Sequence, residues 1–275
     1  IIASLHPTRK EAAVPQILIP YLALFGIPLF TTIRGARQAG FDGVEIHLAG
    51  QSQARALRCR STAYRLGLRV HLHQGWSRDE NPTHWYNHAL SALGCLPPDG
   101  YRLIDHIPLG VLDPVVVYAE RLWEASGRPF YWIQTCCQPG APKISFQLFL
   151  AAVERGQLPV VFDVQHYLEF RLGLEGVGDL PTDRRALMDL LGAGWKHLGP
   201  LTKEIHLDDA DPRLGHTRGR NVPLGSGVLP LRDFCRMVKA SGWDGTVVPE
   251  VSPFHLRGQR RRYAGLRRQV AELLS

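Results

Sequence analysis

Eight short apolar runs of strand length recur along the chain, with helical stretches between them. The runs occupy residues 17–24, 43–48, 68–73, 101–106, 129–135, 158–163, 202–207 and 245–251. Amphipathic stretches of helical length lie at 29–39, 51–66, 82–93, 113–126, 145–155, 182–191 and 231–241, with a last at 256–274. Parallel strands need a crossover between neighbours, and a helix is the usual one. Eight such units within 275 residues predict an α/β fold, the (β/α)8 TIM barrel.

The punctuation agrees. Ala39-Gly40-Phe41-Asp42-Gly43 and Ser241-Gly242-Trp243-Asp244-Gly245 are nearly one phrase, each placed after a helix and before a strand. Gly40 and Gly242 suit a left-handed helix cap, and Asp-Gly suits the turn into the strand. No linker or low-complexity segment divides the chain. One domain over 1–275 is therefore expected, with 1–16 as an N-terminal extension and 256–275 as a basic final helix. The longest connections, 167–181 and 208–230, both follow strands, at the end where barrel enzymes keep their chemistry.

Composition removes several classes. With 45% hydrophobic and 21% charged residues, the chain is neither disordered nor fibrous. The five Cys are odd in number, only Cys136 and Cys137 adjoin, and no CxxC occurs, so a reducing cytoplasm is expected. The longest apolar stretch, 17–30, contains Pro20, Gly26 and Pro28 and is too short to span a bilayer. No charged segment with a cleavage site precedes it, so neither membrane insertion nor a secretion signal is expected. The net charge of +7 is concentrated at the end: residues 256–275 carry Arg257, Arg260, Arg261, Arg262, Arg267 and Arg268 against Glu272. That segment raises a phosphorylated substrate or nucleic acid as partners, the duplex being the less favoured, and a solvated helix face is its plainer explanation.

The residues that close the strands carry the chemistry. Glu45 and His47 lie in the second, His71 and His73 in the third, His106 at the end of the fourth and Gln134 near the end of the fifth. Asp163 and His166 end the sixth, His206 lies in the seventh ahead of Asp208 and Asp209, and Glu250 lies in the eighth. A buried strand end should be aliphatic unless a partner satisfies its polar group. Imidazoles and carboxylates converging on one barrel axis are a divalent-metal environment, suited to Mn, Mg, Co or Zn. Of the remaining histidines, His84, His88 and His197 sit on helical patterns and His6 precedes the first strand. His216 lies in the long loop after strand seven.

Five phrases resemble a known group: Ala39-Gly-Phe-Asp-Gly-Val-Glu-Ile-His47, Val160-Val-Phe-Asp-Val-Gln-His166, Glu204-Ile-His-Leu-Asp-Asp209, Pro223-Leu-Gly-Ser-Gly227 and Gly242-Trp-Asp-Gly-Thr-Val-Val-Pro-Glu250. Their order and spacing are similar to those of the xylose isomerase-like TIM barrel superfamily, over residues 17–255. The superfamily holds sugar and sugar-phosphate isomerases and epimerases, and AP endonucleases of the endonuclease IV type. The resemblance implies Asp163, His206 and Glu250 as metal ligands and His166 as the substrate-contacting or accessory-metal histidine. It implies Arg220 as the arginine that holds a substrate oxygen or phosphate. His106 and His73 resemble the strand-four and strand-three histidines of the nuclease branch.

Gln134 departs from the pattern, which has a glutamate there. An amide oxygen can still ligate a hard cation, but it carries no charge and accepts no proton near neutral pH. Either His166, Glu45 or His106 supplies another base, or the chemistry differs. The leading expectation is a metal-dependent isomerase or epimerase of a sugar, sugar phosphate or related polyol or keto compound, working through an enediolate. Glu250 would be its base, His166 its proton shuttle, and Arg220, His106, His73 and Glu45 its substrate contacts. A zinc phosphodiesterase is the first alternative, weakened by Gln134 and by the lack of an Asp-x-His in 215–223. A degenerate non-catalytic barrel is the second. A role in cytoplasmic carbohydrate metabolism and a homo-oligomeric state also follow from the resemblance as expectations.

Overall fold

The computed structural model describes residues 15–21, 29–47, 53–73, 103–107, 124, 131–137, 145–252 and 260–275. Eight parallel strands close in sequence order, β1 (Gln16–Tyr21), β2 (Gly43–His47), β3 (Arg69–His73), β4 (Leu103–Ile107), β5 (Tyr131–Cys137), β6 (Val160–Asp163), β7 (Thr202–Asp208) and β8 (Thr246–Glu250). Each falls on an expected run, with ends shifted by a few residues. The ring closes where Gln16 and Ile17 pair with Thr246 and Val247.

The helices are α1 (Leu29–Ala39), α2 (Gln53–Arg65), α3 (Phe146–Gly156), α4 (Val164–Leu172), α5 (Arg184–Leu198), α6 (Gly215–Arg218), α7 (Leu231–Ala240) and α8 (Arg260–Leu274). The expected helices at 82–93 and 113–126 lie outside the described residues, Glu124 apart. Gly40 and Gly242 take φ of +80° and +73°, as the repeated phrase predicts. Asp42 also accepts the amide of Ile17 at 2.9 Å, tying the turn before β2 to the start of β1.

One correction concerns the connection after β6. The sequence predicts a loop over 167–181, but α4 occupies its first part. The Asp163 side chain accepts the amide of His166 at 2.7 Å and so caps α4, and Gly173 ends it with φ +67°. Val164, Gln165, Tyr167, Leu168 and Glu169 are all buried, on more than one side of the helix, which removes the one-sided apolar stripe that marks a surface helix.

Two layers follow from the alternation of side chains along the strands. Outward-facing Ile133, Val160, Phe162, Ile205, Leu207 and Val247 join helix residues such as Phe149, Trp195 and Phe234 in the large apolar core. The inward face holds only a small apolar cluster among the described residues, Trp132 with Val161. Most described inward positions above it are polar, and these make the site.

Candidate active site

On β7 the residues Glu204, His206 and Asp208 point inward in three successive levels, while Ile205 and Leu207 point out. Parallel pairing puts Asp163 beside His206 and Asp208 beside Glu250. Glu45, Asp163, Glu204, His206 and Asp208 are fully buried, so each must be answered by a partner or by a bound ion.

His206 is the centre. Its Nδ1 lies 3.2 Å from Glu250 Oε1 and 3.5 Å from Asp163 Oδ2. Its Nε2 lies 3.1 Å from Glu45 Oε2 and 3.2 Å from Glu204 Oε1. Asp163, His206 and Glu250 offer ligand atoms all within 4.8 Å of one another, and Glu45, His73 and His206 form a second such group. Between the groups, Gln134 Oε1 lies 2.7 Å from His73 Nε2, and Gln134 Nε2 donates to Asp163 Oδ2 at 2.6 Å. Gln134 therefore turns its nitrogen, not its oxygen, toward Asp163. One level down, His71 Nδ1 meets Glu204 Oε2 and its ring stands edge-on to Trp132.

The electrostatics follow from burial and crowding. Burial disfavours a charged His206, but the charges of Glu45 and Glu250, and the hydrogen bonds its ring donates to Asp163 and Glu204, hold its pKa well above the usual histidine range. Burial opposes ionisation of Asp163, yet His166 and His206 bring its carboxyl below the usual range. Burial and then the charges of Asp163 and Glu250 push Asp208 well above it. Asp208 Oδ1 accepts the amide of Gln165 at 2.9 Å, while its buried Oδ2 has no hydrogen-bond partner among the described residues. Carboxylate oxygens, one imidazole nitrogen and a spare buried carboxylate oxygen, gathered this closely, fit a divalent cation.

At the mouth, α4 presents His166 and Glu169 one turn apart. His166 Nδ1 lies 2.7 Å from Glu169 Oε2. Arg220 Nη2 donates to both oxygens of Glu169, at 3.1 and 3.2 Å. The next residue, Asn221, takes φ +51° and donates through Nδ2 to Glu250 Oε2 at 3.1 Å. Asp209 holds the loop carrying them. Its carboxylate accepts the amides of Ala210 (2.9 Å), Gly225 (2.8 Å), Gly227 (2.9 Å) and Leu229 (3.2 Å). Asp209→Ala is expected to cost at least about 1–3 kcal/mol, because it strips several backbone donors of their acceptor. Denaturant unfolding measures the cost, and hydrogen exchange should show the loss in protection at residues 225–229.

The structure thus gathers Glu45, His73, Gln134, Asp163, His166, His206, Arg220 and Glu250 around one end of the barrel. His106 lies on β4 and His47 on β2, with their side chains outside what the structure describes. His84, His88 and His6 lie outside the described residues, and His197 is exposed on α5. His216 turns to Asp179, 3.9 Å away, with a largely exposed side chain. In the basic segment, Arg267 donates to the carbonyl of Gly40, in the turn leading into β2 and so at the end of the barrel opposite the site. Sequence reasoning misses Glu169, Glu204 and Asn221, and gives Asp208 no role. Alternation with His206 marks Glu204 and Asp208, and the i, i+3 spacing from His166 marks Glu169 once α4 is known to be a helix.

Fold and site together define a barrel with a carboxylate–imidazole centre at the C-terminal end of its strands. The model of the xylose isomerase-like TIM barrel family matches residues 134–269, so that part of the chain is similar to the family. Solved structures that it resembles include D-psicose 3-epimerase from Clostridium cellulolyticum, with a TM-score of 0.65, 13% identity and coverage of 94% of this chain and 99% of that one. The 3-keto-D-glucoside 4-epimerase of E. coli follows with 0.60, 16%, 94% and 98%. Endonuclease IV from Thermus thermophilus gives 0.61, 15%, 94% and 99%. At these identities the likeness shows the fold. No curated protein matches the sequence. No helix among the described residues is long and apolar enough to cross a membrane.

Proposed function

We propose that this protein is a divalent-metal-dependent isomerase or epimerase of a sugar, sugar phosphate or related polyol or keto compound. The observation that carries the reading is the meeting of Asp163, His206 and Glu250, with ligand atoms within 4.8 Å, beneath a mouth lined by His166 and Arg220. These three residues would hold the ion, for which Mn, Mg, Co and Zn all suit the donor set. When bound, the ion supplies the positive charge that stabilises the oxyanion formed as a carbon between carbonyl and hydroxyl loses its proton.

The remaining work falls to the chain's own groups. Glu250, half-turned to the mouth on Asn221, takes the proton. His166, anchored through Nδ1 on Glu169, returns or relays a proton. Arg220, held by both oxygens of Glu169, orients a distal substrate oxygen. Gln134 carries no charge, so it restrains Asp163 and leaves the proton transfer to Glu250 and His166.

Deuterium uptake tests the reading. In D2O the Mn- or Zn-loaded protein is expected to exchange the proton next to the carbonyl in some member of a panel of ketoses, keto-glycosides and their phosphates, followed by NMR. No exchange in any of them, together with incision of an abasic-site duplex and more than one bound zinc per chain, would transfer the protein to the nuclease branch.

A further inference from the structure

Two ligand groups share His206, and a neutral imidazole has a single lone pair for an ion. The ring must present one nitrogen to the ion and keep a proton on the other. The two sides of the ring differ. On the Nδ1 side stand Asp163 and Glu250, and Glu250 at the strand end retains some exposure, 12% of its side chain. On the Nε2 side stand Glu45 and Glu204, both fully buried. Glu204 lies one inward level deeper than His206 on β7, and Glu45 pairs with His71, which itself binds Glu204. His73, the third member of the deeper group, has its Nε2 against Gln134 Oε1 at 2.7 Å.

We propose that Glu45, backed by Glu204, is a positioning residue for His206: it accepts the Nε2–H, fixes the ring, and aims Nδ1 at the ion held with Asp163 and Glu250. The inference rests on the ion reading given above. It assigns the Glu45–His73–His206 group no ion of its own. A carboxylate behind a ligating imidazole fixes its tautomer and raises its basicity, and losing such a partner typically weakens metal binding by about 10- to 100-fold. Glu45 therefore acts through His206 and does not meet substrate.

Zinc titration with a competing chelator tests this, with ring nitrogen NMR as an independent readout. The wild-type chain is expected to bind one zinc ion, with nitrogen signals showing metal at Nδ1 of His206 and a proton at Nε2. Glu45→Ala is expected to bind one ion about 10- to 100-fold more weakly. Glu45→Gln, whose amide oxygen still accepts the Nε2–H, should recover most of that loss. Two ions in the wild type and one in Glu45→Ala would make Glu45 a ligand and overturn the proposal, as would equal affinity in both. If the wild type binds no zinc, the ion reading fails, and the metal-free ring spectrum still decides whether Glu45 accepts the Nε2–H and fixes the ring. The Nε2 proton of His206 must move upfield in Glu45→Gln, where a charged acceptor becomes neutral, and an unmoved signal overturns the proposal. Because Glu45→Gln preserves shape, that comparison stands even if Glu45→Ala does not fold.

Discussion

Glu250→Gln loses the proton exchange proposed for this barrel while keeping its fold. The substitution is nearly isosteric, at the end of β8, and the new amide oxygen can still accept from Asn221 Nδ2. It removes one of the two carboxylate charges that face His206 Nδ1, at 3.2 Å, and it removes the proton acceptor. Loss of a positioned general base lowers rates by about 10²- to 10⁴-fold, and loss of an anionic ligand weakens ion binding besides. Exchange rate at saturating metal isolates the first effect, and zinc titration isolates the second. Exchange within a few-fold of wild type at saturating metal would remove Glu250 from the role of base.

The largest expected stability effect lies on the other face of the sheet. Phe162 precedes Asp163 on β6 and points outward, fully buried. Its ring stacks on Tyr167 with centroids 4.8 Å apart and on Phe234 at 5.5 Å, and meets Trp195 edge-on at 5.7 Å. One ring therefore joins β6 to three helices, α4, α5 and α7. Phe162→Ala is expected to destabilise the barrel by about 3–5 kcal/mol, through lost burial and an unfilled cavity. Equilibrium unfolding in urea measures it. A loss below about 1 kcal/mol would mean that the helices collapse onto the vacated space without strain.

The contrast between those two neighbours explains what can be read from the sequence. Apolar runs and Asp-Gly turns report the outward layer, and the eight strands follow from them. Polar residues closing the strands report the inward layer, and the family resemblance singles out Asp163, His206 and Glu250 among them as candidate ligands. Three things need coordinates. Glu169 lies on a helix buried on several sides, whose sequence has no amphipathic period to announce it. Glu204 reads as an ordinary charge at the start of a strand until its alternation with His206 turns it inward. The departure at Gln134 is visible in the sequence, but an amide can offer oxygen or nitrogen, and only packing against His73 and Asp163 decides which.

Asp163 has one further consequence. One of its oxygens closes the first turn of α4 and the other faces His206, so a single carboxylate serves both a helix end and the proposed ion pocket. A cation bound on that carboxylate would then be coupled to the capped end of the helix. The helix so coupled carries His166 and Glu169, and through Glu169 it holds Arg220. Cation occupancy would thus be felt at the rim, through groups already joined to one another by hydrogen bonds.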